Sequence, residues 1–254
     1  MIKPQSIASV AFSFLLLTST LVFGQTTTVA VAANLKEAFI SIIAANPTFK
    51  IDEIKIIYGS SGNFTTQIIN GAPFNLFISA DEQYPLELFK QGKTVDQGKI
   101  YAHGKIVLIT KKTSALSLTA NRQDLIQVIN QANKIALAKP ELAPYGRAAV
   151  EYLKTMGVWE LAKPKLVFAD NVALAAMFVM TGAADLGITA LSLAQSPALT
   201  KETNYLIIND KLYEPIRQRM VLIKNPTPLA KELYQYLQST QAQELFKQFG
   251  YIVP

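Results

Sequence analysis

The stretch EIKIIYGSSGNFTTQIINGAPFNLFISAD, residues 53–81, sets a strand, a tight turn, a helix and a second strand one after another. Glu53–Tyr58 is rich in β-branched residues and reads as a strand. Gly59-Ser60-Ser61-Gly62 is an uncharged turn. A short helix runs on to Asn70 and is closed by Gly71, and Phe74–Ser79 is the next strand. Upstream, TTVAVAA (27–33) reads as a buried strand. It leads into a helix over Leu35–Ala45, where Leu35, Phe39, Ile42 and Ile43 share a face. Asn34 precedes that helix with Glu37 three residues on, the spacing of a capping box.

Downstream the alternation continues. Tyr84–Gln91 is helical. Lys105–Thr110 is a strand, Arg122–Asn130 a helix, Ile135–Ala138 a strand and Tyr145–Met156 a helix. Strand Lys165–Ala169, helix Val172–Met180 and strand Asp185–Thr189 follow. Strands Tyr205–Ile208 and Gln218–Lys224 precede the helices Leu229–Ser239 and Ala242–Gln248. Such alternation predicts an α/β protein with mostly parallel sheets covered by helices. About eleven strands are too many for one small sheet, so two lobes are expected, with a single doubly wound sheet as the alternative. The predicted crossings lie near His103–Lys105 and Ile223–Asn225. They give a first lobe of residues 25–104 plus 224–254 and a second of residues 105–223.

Residues 1–24, MIKPQSIASVAFSFLLLTSTLVFG, carry one charge, Lys3, ahead of an apolar run from Ile7 to Leu17. This is the pattern of a secretory signal cleaved near Gly24. Ser13, Thr18, Ser19 and Thr20 interrupt the run before it reaches the roughly 20 residues that a spanning helix needs. An exported, periplasmic protein of about 230 residues is expected, with a net charge near +5.

The 254 residues include no cysteine and one histidine, with 24 Lys+Arg against 18 Asp+Glu. Thiolate chemistry, disulfides, Cys-ligated metals and multi-His metal sites are therefore excluded. No nucleophile-elbow, P-loop or dinucleotide fingerprint occurs, so nothing marks an enzyme. Asp52/Glu53 and Asp81/Glu82 read as solvated surface, and His103 as structural or exposed. Lys111-Lys112, Lys163/Lys165 and Arg217/Arg219 are scattered rather than striped, which speaks against a nucleic-acid surface.

The informative pattern is in the helix starts. Ala32-Ala33-Asn34-Leu35, Gly59-Ser60-Ser61-Gly62, Ala143-Pro144-Tyr145-Gly146 and Asp170-Asn171-Val172-Ala173 each put a strand, a tight turn and a helix N-terminus in succession, uncharged but for Asp170. A helix N-terminus presents unpaired N–H groups and about half a positive charge, and so suits an anion. Asn34, Ser61 and Tyr145 could add side-chain donors. Plain N-capping accounts for any one such turn, but the doublet Ser60-Ser61 between two glycines has more freedom than a cap needs.

The segments VAVAANLKEAF, IIYGSSGNFTTQI, GAPFNLFISAD, APYGRAAVEYL and FADNVALAA followed by ADLGI resemble the periplasmic molybdate-binding proteins of ABC transporters, in order and over nearly all of residues 25–254. GAPFNLFISAD is the most specific block. The resemblance implies a two-lobe periplasmic-binding-protein-like fold with two crossover strands. It implies an oxyanion, molybdate or tungstate, held between the lobes without charged side chains and delivered by a monomer to a membrane permease, with no cofactor. It implies Asn34 and Ser61 as ligands from the first lobe, with Tyr145 and the backbone N–H of Val172 from the second. Ala190 stands where some relatives carry a ligating tyrosine, so Tyr145 would supply the phenol from another direction.

Molybdate at neutral pH carries no proton and only accepts hydrogen bonds, so a site of N–H and O–H donors suits it. Phosphate keeps protons and profits from an acceptor. Asp170, the one carboxylate beside these turns, reads as a cap pointing away. Arg147 reads as a surface helix residue or as a group that steers the anion. Another tetrahedral oxyanion such as sulfate, or an enzyme on a similar scaffold, remains the alternative.

Overall fold

The structure is a computed structural model that describes residues 26–254; the expected signal segment lies outside the described residues. The first half runs β1 (Thr27–Ala32), α1 (Lys36–Ala44), β2 (Ile54–Gly59), α2 (Ser61–Ile69), β3 (Leu76–Ile78), α3 (Gln83–Lys90), β4 (Lys99–Gly104) and β5 (Ile106–Lys111). Then come α4 (Arg122–Gln131), β6 (Ile135–Ala138), α5 (Pro144–Thr155), α6 (Trp159–Ala162), β7 (Leu166–Ala169), α7 (Val172–Met180) and β8 (Leu186–Ala190). The chain ends with α8 (Leu191–Ala194), α9 (Pro197–Glu202), β9 (Thr203–Ile207), β10 (Ile216–Leu222), α10 (Pro228–Tyr236) and α11 (Thr240–Gln248).

These strands form two five-stranded mixed sheets with helices on both faces, one sheet per lobe. Their orders are β2-β1-β3-β10-β4 and β7-β6-β8-β5-β9. The plans match position for position. Each has three parallel strands at one side and an antiparallel strand, β10 or β5, laid next to them. β1 is buried along almost its whole length between β2 and β3, which is why it reads as an unbroken run of Val, Ala and Thr. The main cores are separate. Ile106, Leu108, Leu137, Ala149 and Val179 are in one, and Val29, Leu35, Phe39, Leu76 and Phe246 in another.

The chain passes from the first sheet to the second between β4 and β5, at Lys105, and returns between β9 and β10. The sequence boundary at 223/224 assigns β10 to the second lobe. Its ladder partners are β3 and β4 of the first, with Met220 opposite Ile78 and Gln218 opposite Ala102. An apolar alternation reports that a strand is half buried, not which sheet takes it.

Other local expectations also change. Asn34 lies inside a 3-10 turn, Ala33–Leu35, and α1 begins after it with no side-chain cap, so the Asn34/Glu37 capping box does not form. Asp81 is buried rather than solvated, and Glu82 pairs with Arg217 and Arg219.

Lys165 shows how the second lobe holds its helices. Its ammonium donates to the carbonyls of Ile129, Asn130 and Ala132, each at 2.8 Å, and so closes the C-terminal end of α4. A cation there offsets both orphan carbonyls and the helix dipole. Lys165→Met is expected to lower stability by about 1–2 kcal/mol, a fall in Tm of a few degrees by calorimetry.

Candidate functional site

Ligands of open α/β sheets bind beyond the carboxyl ends of the strands, where neighbouring connections leave in opposite directions. In the first sheet those ends are β1, β2 and β3, and in the second β6 and β7. The chain leaving them lines one small cavity of about 10 Å3 between the lobes. Ala32, Ala33, Asn34, Gly59, Ser60, Ser61 and Ala80 line it from the first lobe, and Ala143, Pro144, Tyr145, Asn171 and Val172 from the second. All four residues singled out in the sequence, Asn34, Ser61, Tyr145 and Val172, therefore meet at one void, although 138 positions separate the first and last of them.

The lining contains no charged side chain. Four helical N-termini open onto it: the 3-10 turn leading into α1, and α2, α5 and α7. Their first-turn amides have no acceptor within the helix. Val172 is the first residue of α7, with Asn171 Oδ1 capping Leu174 N–H at 3.0 Å. The cap thus takes the amide of Leu174 and leaves that of Val172 to the cavity. Pro144 opens α5 with a preset φ and no N–H of its own, and Tyr145 comes next.

Side chains add further donors. Ser61 Oγ accepts from Ala80 N–H at 2.9 Å, so its own proton is free to be donated. Ser60 Oγ is buried and has no partner among the described residues, and its side chain makes no cap bond. The sequence reading picked out the serine doublet but named only Ser61. Burial pushes the Tyr145 phenol well above its ordinary pKa, helped by neighbouring Tyr251 and Tyr213, and this keeps it protonated as a donor.

Asn34 differs from expectation. Its Nδ2 donates to Gln218 Oε1 at 2.9 Å and Tyr251 OH at 2.8 Å, and its main-chain carbonyl accepts from Ser192 Oγ and Tyr251 OH, while its Oδ1 is buried with no partner among the described residues. The side-chain donor foreseen for the cavity is engaged inside the protein, and the residue lies in a 3-10 turn whose first N–H groups have no acceptor within the turn. Gln218, Tyr251 and Ser192 were not foreseen, and no local pattern in the sequence marks them.

The lobes are in contact around the cavity. Gly62 N–H donates to Leu142 O at 2.9 Å, and Tyr84 OH to Glu141 O at 2.8 Å. Arg147 pairs with Asp81 and lies over the Tyr84 ring, 5.3 Å from its centroid. It is thus a cross-lobe residue rather than a free surface charge. Burial raises the Asp81 pKa, while Arg147 and the bonds from Tyr84 N–H and Ser79 Oγ oppose that rise. Asp170 turns outward to Lys139 at 2.6 Å. A larger groove of about 350 Å3 beside the cavity carries Asp81, Glu82, Glu151 and Glu214 as well as Arg147 and Arg217. That much carboxylate does not suit an anion.

A two-lobe α/β fold that closes a small donor-lined cavity between its sheets defines a solute receptor. The chain belongs to the bacterial extracellular solute-binding protein family, whose model matches residues 27–252. It is 37% identical to the molybdate-binding protein ModA of Azotobacter vinelandii over 227 residues, 88% of each chain. It is 33% identical to the ModA of Rhodobacter capsulatus, over 88% of this chain and 86% of that one. The solved structure of the Azotobacter vinelandii periplasmic molybdate-binding protein superposes with a TM-score of 0.79 at 30% identity, covering 90% of this chain and 99% of that one.

Proposed function

We propose that the chain is an extracytoplasmic receptor that captures molybdate, and tungstate with it, between its lobes and delivers the ion to a membrane ABC permease. The observation that carries this reading is the cavity: small, lodged between the lobes, faced by four helical N-termini and free of charged side chains. A tetrahedral dianion without protons finds N–H and O–H donors there and no charged side chain. A carboxylate would repel it, and the lining offers a protonated phosphate no carboxylate acceptor. The proposed ligands are Asn34 through its main-chain N–H, the Ser61 hydroxyl, the Tyr145 phenol and the Val172 N–H, with Ser60 Oγ added on structural grounds.

Burying such an ion without compensation costs tens of kcal/mol on Born estimates. Several charge-assisted hydrogen bonds of about 1.5–3 kcal/mol each, with the helix dipoles, offset that cost. The protein acts as a non-catalytic monomer, exported after cleavage near Gly24, and needs no cofactor. Its lobes are residues 26–104 with 216–254, and 106–207.

The test is a calorimetric panel with molybdate, tungstate, sulfate and phosphate at neutral pH. Tight binding of the first two and weak or absent binding of the others is the expected outcome. Equal affinity for sulfate would move the assignment to a broader oxyanion receptor, and no heat with any of the four would overturn it.

A further inference from the structure

Behind the cavity is a buried polar cluster built around Gln218, on β10, which is wholly inaccessible to solvent. Its Oε1 accepts from Asn34 Nδ2 at 2.9 Å and lies 2.9 Å from Tyr101 OH, which also donates to Ser79 O at 2.7 Å. Its Nε2 donates to the Tyr145 phenol oxygen at 3.1 Å. One amide thus reaches a first-lobe and a second-lobe residue of the cavity lining together. Gly104 on β4 makes the arrangement possible. A Cβ there would lie 2.7 Å from Gln218 Nε2 and would collide with the Tyr145 hydroxyl.

The direction of these bonds matters. The Tyr145 oxygen receives an N–H from Gln218 Nε2; Asn34 Nδ2 lies 3.4 Å away, with its two N–H groups directed to Gln218 Oε1 and Tyr251 OH. Among the described residues no acceptor takes its own proton. A hydroxyl carries one proton and two acceptor positions. With one acceptor position taken by Gln218 and no acceptor for its own proton, the phenol has that proton to offer. A buried amide is suited to this work, since its two ends are chemically distinct: the acceptor end takes an N–H from Asn34 Nδ2, and the donor end faces Tyr145.

We infer that Gln218 is a positioning residue for anion capture. By donating to the Tyr145 oxygen it holds the phenol as a donor to the bound ion, and so makes the site selective for oxyanions that carry no proton. This rests on the proposed oxyanion site and deepens it. Gln218 itself touches no ligand and acts through Tyr145.

The test is a double-mutant cycle on the full chain, titrating molybdate into wild type, Gln218→Met, Tyr145→Phe and the double variant. Methionine keeps the volume and removes both polar ends. Each single substitution is expected to weaken binding about ten- to a hundredfold, the weight of one charge-assisted hydrogen bond. The double variant is expected to lose no more than the larger single loss, because the glutamine acts through the phenol. Losses that multiply would overturn the proposal, as would wild-type affinity in either single variant.

Gln218→Glu is the companion measurement and stands in if Gln218→Met does not melt cooperatively. It keeps the acceptor for Asn34 and Tyr101 but draws the Tyr145 proton toward itself. The ratio of molybdate to phosphate affinity is then expected to fall at least about tenfold, whatever the general loss. An unchanged ratio sinks the assignment. Failure of the wild type to bind molybdate would instead refute the underlying function, so the two failures are distinguishable.

Discussion

Ser61→Asp is expected to abolish molybdate capture and leave the chain folded. Ser61 is buried at the first position of α2, accepts from Ala80 N–H and lines the cavity. An aspartate there keeps an acceptor for Ala80 and suits a helix N-terminus, where negative charge is stabilising. The fold therefore loses little. The ion, however, meets a carboxylate within a few ångström in a site whose lining has no cation. At an effective dielectric constant near 20, two unit charges 4 Å apart repel by about 4 kcal/mol, and a dianion feels about twice that. Affinity should fall by more than about a thousandfold, with Tm changed by only a few degrees. Ser61→Ala removes one donor and should cost only about tenfold. Calorimetric titration alongside thermal melting checks both, and wild-type affinity in the aspartate variant would show that Ser61 is not a ligand.

Gly62→Ala is expected to separate the folding of the lobes from their closure. Gly62 is the second residue of α2, and its N–H meets Leu142 O across the cleft. A Cβ there would lie 2.7 Å from Tyr84 Oη and 2.9 Å from Leu142 Cα, and the second of these contacts is with backbone that cannot swing aside. Alanine is a better helix former than glycine, so α2 itself gains. The methyl group instead wedges the lobes apart at the rim of the cavity. In small-angle scattering the wild type should become more compact on adding molybdate, whereas the variant should stay extended. Its affinity should fall about a hundredfold, since the second-lobe donors never reach the ion. Full compaction together with wild-type affinity in the variant would count against closure at this contact.

Much of this was legible in the sequence, because helix starts are written locally. Gly59-Ser60-Ser61-Gly62, Pro144-Tyr145-Gly146 and Asn171-Val172 are short turns whose residue types state their backbone preferences, and the structure opens all three onto one cavity. The block at 71–81 likewise reads directly as a turn and a strand. What was not legible depends on distance along the chain. Gln218 and Tyr251 bond Asn34 across 184 and 217 positions, and no pattern around them differs from that of an ordinary strand or tail. Local reading also misjudged Asn34, because its spacing to Glu37 satisfies a capping box while tertiary partners claim its side chain. It misjudged Asp81 for the same reason: a carboxylate next to another reads as solvated until an arginine from the other lobe is brought to it.

The second sheet draws all five of its strands from one continuous stretch, residues 106–207, whereas the first must wait for β10. This imposes an order of assembly. Loop closure across more than a hundred residues is slow compared with pairing inside one half. The second lobe can therefore complete itself while β3 still presents an open edge to solvent. In that interval the first half is a sheet with an unpaired flank, the kind of surface on which chains aggregate or recruit a holdase. Arrival of β10 seals the edge and, through Gln218, completes the back wall of the pocket, so the capacity to bind appears only when the last long-range pairing is made.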